Sequence, residues 1–394
     1  MPAPLEGLKV VELARILAGP WIGQTLADLG ADVVKVEAPE GDDTRKWGPP
    51  FIEGADGTRQ DAAYFHSCNR GKRSVVADYR KAEDLAFVHA LIADADVVIE
   101  NFKTGGLAKY GLDYASLAAK YPRLVYCSIT GFGQSGPYAE RAGYDAMIQG
   151  MGGIMSLTGD PAGEPQKMGV AFADIFTGVY GVIAVQAALA QRERTGLGQH
   201  VDMALLDVMV GVLANQAMNY LVSGQVPHRY GNAHPNIVPY QVCAVADGHI
   251  MLAVGNDGQF QRLCGVLGAT ELAADPRYQT NEGRVNHRGE VMSALGAVLL
   301  TWPRDALLAR LASEAVPAGP INTVADVFAD PQVQFREMQL HLNAPHVAGG
   351  HLPGVRTPIR FGGATLATGR PAPRLGEHNA EVRREYGFPS DDTN

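Results

Sequence analysis

Short apolar runs alternate with longer amphipathic stretches through the first third of the chain. LKVVEL (8–13), ADVVKVE (31–37), KRSVVADY (72–79), ADVVIENF (95–102) and RLVYCSIT (123–130) each hold adjacent β-branched or other apolar residues. Such runs, without strict alternation, predict strands buried on both faces. Between them, ILAGPWIGQTLADLG has Pro20 where a helix can begin and Gly30 where it can stop. EDLAFVHALIADA spaces its apolar residues helically, whereas APEGDDTRKWGPP is dense in turn formers and predicts a loop. The alternation predicts an α/β fold with a parallel, Rossmann-like sheet. Ligands of such sheets bind at the carboxyl ends of the strands, here ELARILAGP, VEAPEGDD, ADYRK, ENFKTGG and ITGFGQSG.

Residues 145–225 read as mostly helical. RYGNAHPNIVPY (229–240) is turn-rich and marks a boundary, and VCAVADGHIMLAVG (242–255) predicts two strands around Asp247–Gly248. Helical patterns continue to about residue 335, and the Gly- and Pro-containing tail reads as an extended segment wrapping a surface. At 394 residues the chain is too long for one core. A large α/β domain is expected over 1–225, completed by the tail 335–394, with a smaller α+β domain over 226–334.

Composition narrows the function classes. Apolar residues make up 46% and charged residues 19%, as in a well-packed globule. A formal charge of −9 with no basic tract argues against nucleic acid as a partner. Cys68, Cys127, Cys243 and Cys264 are scattered, without C-x-x-C or metal-ligand spacing. Reduced thiols in a cytoplasmic protein without a metal are the simplest reading. MPAPLEGLKVVEL lacks the layout of a signal peptide, and no clean apolar run reaches membrane length, so no span is expected. G-x-S-x-G and P-loop patterns are missing. GFGQSG (131–136) fits G-x-G-x-x-G, but Pro137 follows at once and the first strand lacks the pattern. It speaks for close backbone approach to a ligand more than for a dinucleotide site.

One residue stands out. In VAFADIFTGVYGVIAVQAAL (170–189), Asp174 is the only charge between Lys167 and Arg192. A bare carboxylate in such surroundings is costly unless capped, paired, exposed or used. Spacing favours an N-cap for a helix starting at Ile175, and a carboxylate at a helix start that faces a cavity can also be a nucleophile. Cations gather at three strand ends, as Lys72 with Arg73, Arg80 with Lys81, and Lys103 with Lys109. A solvated rim accounts for them; with Tyr79 and Asn101-Phe102 alongside, so does a site for a purine and its phosphates.

The chain resembles the class III CoA-transferases (CaiB/BaiF type). The resemblance is carried by PLEGLKVVEL, LAGP, LADLGADVVKVEAPEGDDTR, CNRGKRSVVADYRK, ADVVIENF, SITGFGQSGPY, RAGYD, the Asp174 segment, TGLGQHVDMALLD and PRLGEH. It covers nearly the whole chain and implies an interlocked homodimer that uses acyl-CoA as substrate, with no metal or redox cofactor. It implies that Asp174 attacks a donor thioester, giving a mixed anhydride and then an aspartyl-CoA thioester. By matching position, Leu17 and Ala18 would lie along the pantetheine. Ala77, Asp78, Tyr79 and Arg80 would contact the nucleotide, with Asn101, Phe102 and Lys103 around the adenine. Lys109 and Tyr110 would contact phosphate and base, Tyr144 would lie near the thioester, and Arg141 is close enough to help with phosphates. The formyl-CoA branch has Gln at the place of Leu17, Arg at that of Ala38, and a shielding glycine run without counterpart here. A formyl/oxalate pair is therefore disfavoured.

The pattern most resembles enzymes moving CoA from succinyl-CoA to a dicarboxylate, with Arg15 and His234 as candidates for the second carboxylate. Two other readings stay open. The racemase branch resembles AGHD where this chain has AGYD, and a phenol is a poor base at neutral pH. A CoA-ester-binding protein without turnover is the non-enzymatic alternative.

Overall fold

Six strands form one parallel sheet: β1 (Lys9–Glu12), β2 (Asp32–Glu37), β3 (Arg73–Val76), β4 (Val97–Glu100), β5 (Val125–Thr130) and β6 (His200–Ala204). The computed structural model describes residues 1–389. The spatial order is β3-β2-β1-β4-β5-β6, with every neighbouring pair parallel. The order runs outward from β1 in one direction, then restarts at β4 and runs in the other. Loops leaving β1 and β4 therefore diverge and open a crevice between them.

Both faces of the sheet are covered, which explains why valine and isoleucine on its strands point to both sides. Val10, Val33, Val97 and Val125 pack with Ile22 and Leu26 of α1 (Ala18–Asp28) on one face. Val11, Val34, Val75 and Val98 pack with Phe87, Leu91 and Ile92 of α2 (Ala82–Ala93) on the other. The first face also carries α3 (Asp145–Met151), α4 (Phe172–Thr195) and α5 (Leu205–Gly211).

Small residues bring α4 close to α1. A Cβ added at Gly178 would stand 2.9 Å from Trp21 Cβ, and one at Gly181 would stand 2.4 Å from Ile22 Cδ1. α4 ends where Gly196 takes φ +75°, a left-handed C-terminal cap. By length and composition α4 could cross a bilayer, its best window having a mean hydropathy of 1.6. Val179, Tyr180 and Ile183 are exposed on it.

Two elements depart from the sequence expectation. β6 lies inside the stretch expected to be helical, and a short hairpin (Phe51–Glu53 with Arg59–Ala62) occupies chain that shows no strand pattern.

The chain divides into two compact units. The first comprises residues 1–154, 167–223 and, among the described residues, 331–389, and the second 155–166 and 224–330. In the second, β7 (Tyr240–Val245), β8 (Gly248–Ala253) and β9 (Ala318–Pro320) form an antiparallel sheet. Helical residues such as Phe260, Leu263, Val291 and Leu295 pack with it. The tail belongs to the first unit and closes the β3 edge. His378 Nδ1 accepts from Ser74 N–H (3.2 Å), and Asn379 Oδ1 accepts from Val76 N–H (2.8 Å). Arg73 reaches back to Glu385 at 2.8 Å.

Candidate active site

The start of α4 sets the chemistry. Its N-cap position is Ala171, with no side-chain cap of its own, and Asp174 is the third helical residue. The expected N-cap role for Asp174 is thus not the one it has. Asp145 supplies the cap from α3: its Oδ1 accepts from Ala173 N–H (2.8 Å) and Asp174 N–H (3.3 Å). Its Oδ2 accepts from the amide of buried Gln149 at 2.8 Å. With the helix end satisfied from elsewhere, the Asp174 carboxylate has no hydrogen-bond or ion-pair partner among the described residues. Burial, reinforced by the Asp145 charge, pushes its pKa up to about 7. Tyr64 feels the same environment, its phenol pushed up to about 12 by burial and then by the Asp174 charge.

Asp174 opens onto a cavity of about 550 Å³, lined also by Arg15, Leu17, Ala18, Trp47, Asn101, Phe102, Lys103, Arg141, Tyr144 and Asp145. A second cavity of about 330 Å³ is lined by Ala77, Asp78, Tyr79, Arg80 and Tyr110, and Arg15 and Phe102 line both. One elongated ligand can therefore run from one to the other. Tyr79 stands 5.5 Å from Tyr110 and 6.3 Å from Phe102, an aromatic cluster suited to a flat base. Lys109 lines neither cavity; its ammonium lies 4.8 Å from the Tyr110 ring centroid. Arg80 is held at 2.8 Å by Asp78. Arg15 pairs with Asp43 at 2.8 Å, both side chains being largely exposed. His234 belongs to the second unit, where its Nδ1 accepts from Asn236 N–H at 3.1 Å and its ring lies 5.2 Å from Tyr240.

The glycine motif after β5 has a different use from phosphate binding. Gly131 crosses Gly143 so closely that a Cβ on either would stand 2.6 or 2.4 Å from the other's Cα. That crossing fixes the chain just before Tyr144 and Asp145. Asn101 ties the loop after β1 to β4, its Oδ1 accepting from Arg15 N–H (3.0 Å) and its Nδ2 donating to Arg15 C=O (2.6 Å). Sequence reasoning missed Asp145 and Trp47. Asp145 directly follows Tyr144 in RAGYD, and Trp47 lies in the loop after β2.

Known proteins are similar to this chain in sequence and in fold. The family model for CoA-transferase family III matches residues 5–379. A succinate–glutarate CoA-transferase of Agrobacterium fabrum is 60% identical over 97% of this chain and 95% of its own length. A human succinyl-CoA:glutarate CoA-transferase is 39% identical over 97% of this chain and 86% of its own. The crystal structure of a CaiB/BaiF family protein from Brucella suis superposes with a TM-score of 0.86 at 64% identity, covering 98% of this chain and 100% of that one.

Proposed function

The chain belongs to CoA-transferase family III, and from that premise we propose that it moves CoA from succinyl-CoA to a dicarboxylate such as glutarate through acyl intermediates on Asp174. The observation that carries the chemistry is an Asp174 carboxylate that is unpaired, half-buried and basic for its type, facing a cavity wide enough for a thioester. The activities for which these relatives are named support the substrate pair.

In this reading an Asp174 oxygen attacks the thioester carbonyl. The C–S bond breaks, leaving a mixed anhydride and CoA thiolate. The thiolate then attacks the aspartyl carbonyl and releases succinate, giving an aspartyl-CoA thioester. The acceptor carboxylate attacks that thioester, and the returning thiolate takes the acceptor's acyl group, restoring Asp174. Each intermediate is itself an activated acyl group, so little free energy is lost on the way. Leu17 and Ala18 line the same cavity, and their N–H groups, which have no acceptor among the described residues, suit the developing oxyanion. The nucleotide belongs in the cavity of Tyr79, Arg80, Phe102 and Tyr110, with Ala77 and Asp78 beside it. Lys103 and Arg141, which line the acyl cavity, and Lys109, which stands beside Tyr110, are the cations assigned to its phosphates, while Asn101 and Tyr144 flank the acyl arm.

Arg15 is the candidate for the distal carboxylate, since an incoming dicarboxylate can displace Asp43 from it. His234 is the second candidate. Arg15→Ala is expected to raise KM for glutarate about tenfold or more while leaving monocarboxylates unaffected; equal effects on both would reject the assignment. Exposed Val179, Tyr180 and Ile183 on α4, and Met218, Leu221 and Val222 on the helix Ala214–Ser223, support a homodimer that covers these apolar faces. The four cysteines are buried and free, in keeping with a cytoplasmic setting.

The test is isotope exchange between labelled succinate and succinyl-CoA. Asp174→Asn is expected to abolish it, and hydroxylamine is expected to trap acylated Asp174 in the parent. Undiminished exchange in Asp174→Asn overturns the reading. Deuterium wash-in at the α-carbon of a 2-methylacyl-CoA, without an acceptor acid, would indicate racemase chemistry, and binding without exchange would indicate an inert CoA-ester binder.

A further inference from the structure

The loop between β1 and α1 contains a residue in an unfavourable conformation. Ile16 has φ +74°. A β-branched side chain in the left-handed region collides with its own backbone, and such strain persists only where the surroundings enforce it. Here they do, because four side chains bond the backbone of residues 14–16. Ala14 C=O accepts from Lys35 Nζ at 2.8 Å. Arg15 gives its N–H to Asn101 and receives the Asn101 amide on its C=O, at 3.0 and 2.6 Å. Ile16 N–H faces both oxygens of Asp42 at 3.3 and 3.2 Å, and Ile16 C=O accepts from Cys68 Sγ at 3.5 Å.

Asp42 is itself fixed. It accepts from Thr44 N–H at 3.0 Å and Thr44 Oγ1 at 2.7 Å, and pairs with Lys35 at 2.9 Å. Lys35 and Lys72 both reach Glu12, at 3.0 and 2.8 Å, and all four of these charged side chains are buried. A buried ionic cluster is a poor source of stability compared with apolar packing, but it can hold a geometry that packing alone would not. It lies where the sheet order reverses, and the chain it grips leads straight into Leu17 and Ala18.

We propose that Asp42 and Asn101 are positioning residues: they clamp the strained Ile16 turn and thereby aim the unpaired N–H groups of Leu17 and Ala18 at the acyl group held beside Asp174. The inference rests on the acyl transfer proposed above. Without the clamp, Ile16 relaxes to a negative φ and the two N–H groups swing away from the carbonyl oxygen. Asp42 borders the nucleotide cavity, but its carboxylate is buried against Lys35, Thr44 and Ile16 N–H, so its loss falls mainly on the transition state.

A double-mutant cycle tests this. In the parent, Asp42→Asn is expected to lower kcat for succinate exchange by about 10- to 100-fold, with KM for succinyl-CoA within about threefold. Ile16→Gly removes the strain, because glycine takes positive φ freely. In that background Asp42→Asn is expected to cost less than about threefold in kcat. Equal fold losses in the two backgrounds would mean that Asp42 acts through general stability, and would overturn the clamp. If Asp42→Asn does not accumulate folded, Asn101→Ala in the same two backgrounds gives the comparison in kcat alone, because Asn101 also lines the acyl cavity and its KM is expected to move. An unsubstituted chain without exchange overturns the acyl-transfer reading and this one with it, whereas additive losses in an active enzyme overturn the clamp alone.

Discussion

Two carboxylates share the start of α4 and are put to opposite uses. Asp145 is bonded to N–H groups and to Gln149, while the Asp174 carboxylate has no partner among the described residues. A nucleophilic carboxylate must be ionised, so activity should rise with pH through the Asp174 pKa near 7 and level off above it. Asp145→Asn removes the like charge but keeps an oxygen that can cap α4. The acid limb of kcat/KM is then expected to move to lower pH, by less than half of the way back to 3.8, because burial is the larger cause and remains. A pH profile from 5 to 9 checks this, and an unmoved limb would show that the Asp145 charge is not felt. Asp174 was legible because no other charge stands near it in sequence. Its cap was not, since the bond from Asp174 N–H reaches 29 residues back to a side chain with no local pattern linking the two. The clamping by Asn101 was hidden likewise, for its partner Arg15 lies 86 residues away.

At the level of elements, five of the sheet strands announced themselves because both of their faces are buried and each carries adjacent apolar residues. β6 did not: HVDMA alternates, sits between two helices and bonds a neighbour on one side alone. The hairpin at 51–62 was hidden for a similar reason, its second strand being the polar RQDA. Crossings of backbone on backbone are also invisible to periodicity, and that of Gly131 with Gly143 governs the approach to Tyr144 and Asp145. Gly143→Ala places a methyl 2.4 Å from Gly131 Cα, where no flexible side chain can yield. It is expected to cost about 1–3 kcal/mol of stability and to reduce kcat by displacing the cap of α4. Gly169→Ala meets nothing within 4 Å and serves as the neutral control. Urea denaturation and exchange kinetics on both variants decide the matter, and a neutral Gly143→Ala would show that the crossing has slack.

Over the whole molecule, the first unit is assembled from three separated stretches, and the last of them completes it. Its extended, Gly- and Pro-containing character is visible in the sequence; which strand it would cover is not, because the docking is made by single side chains. Arg45 bonds Pro373 C=O, Arg70 bonds Val355 C=O, and Arg73 bonds Glu381 and Glu385. A chain ending at Asp330 would leave these guanidiniums without those acceptors and the Ser74 and Val76 N–H groups bare on an edge strand. Such a truncation is expected to shift the protein into the insoluble fraction, and size-exclusion chromatography of any soluble remainder should show aggregates. A well-behaved soluble truncation would mean the tail is dispensable to the sheet.

The link between Ser74 and His378 spans 304 residues. A ribosome adding about 5–20 residues per second therefore leaves the nascent β3 uncovered for roughly 15–60 s. Throughout that interval the growing polypeptide offers an adhesive rim to its neighbours on the same messenger. Its yield in a cell should accordingly respond to chaperone supply and translation speed more than the finished fold's stability would indicate.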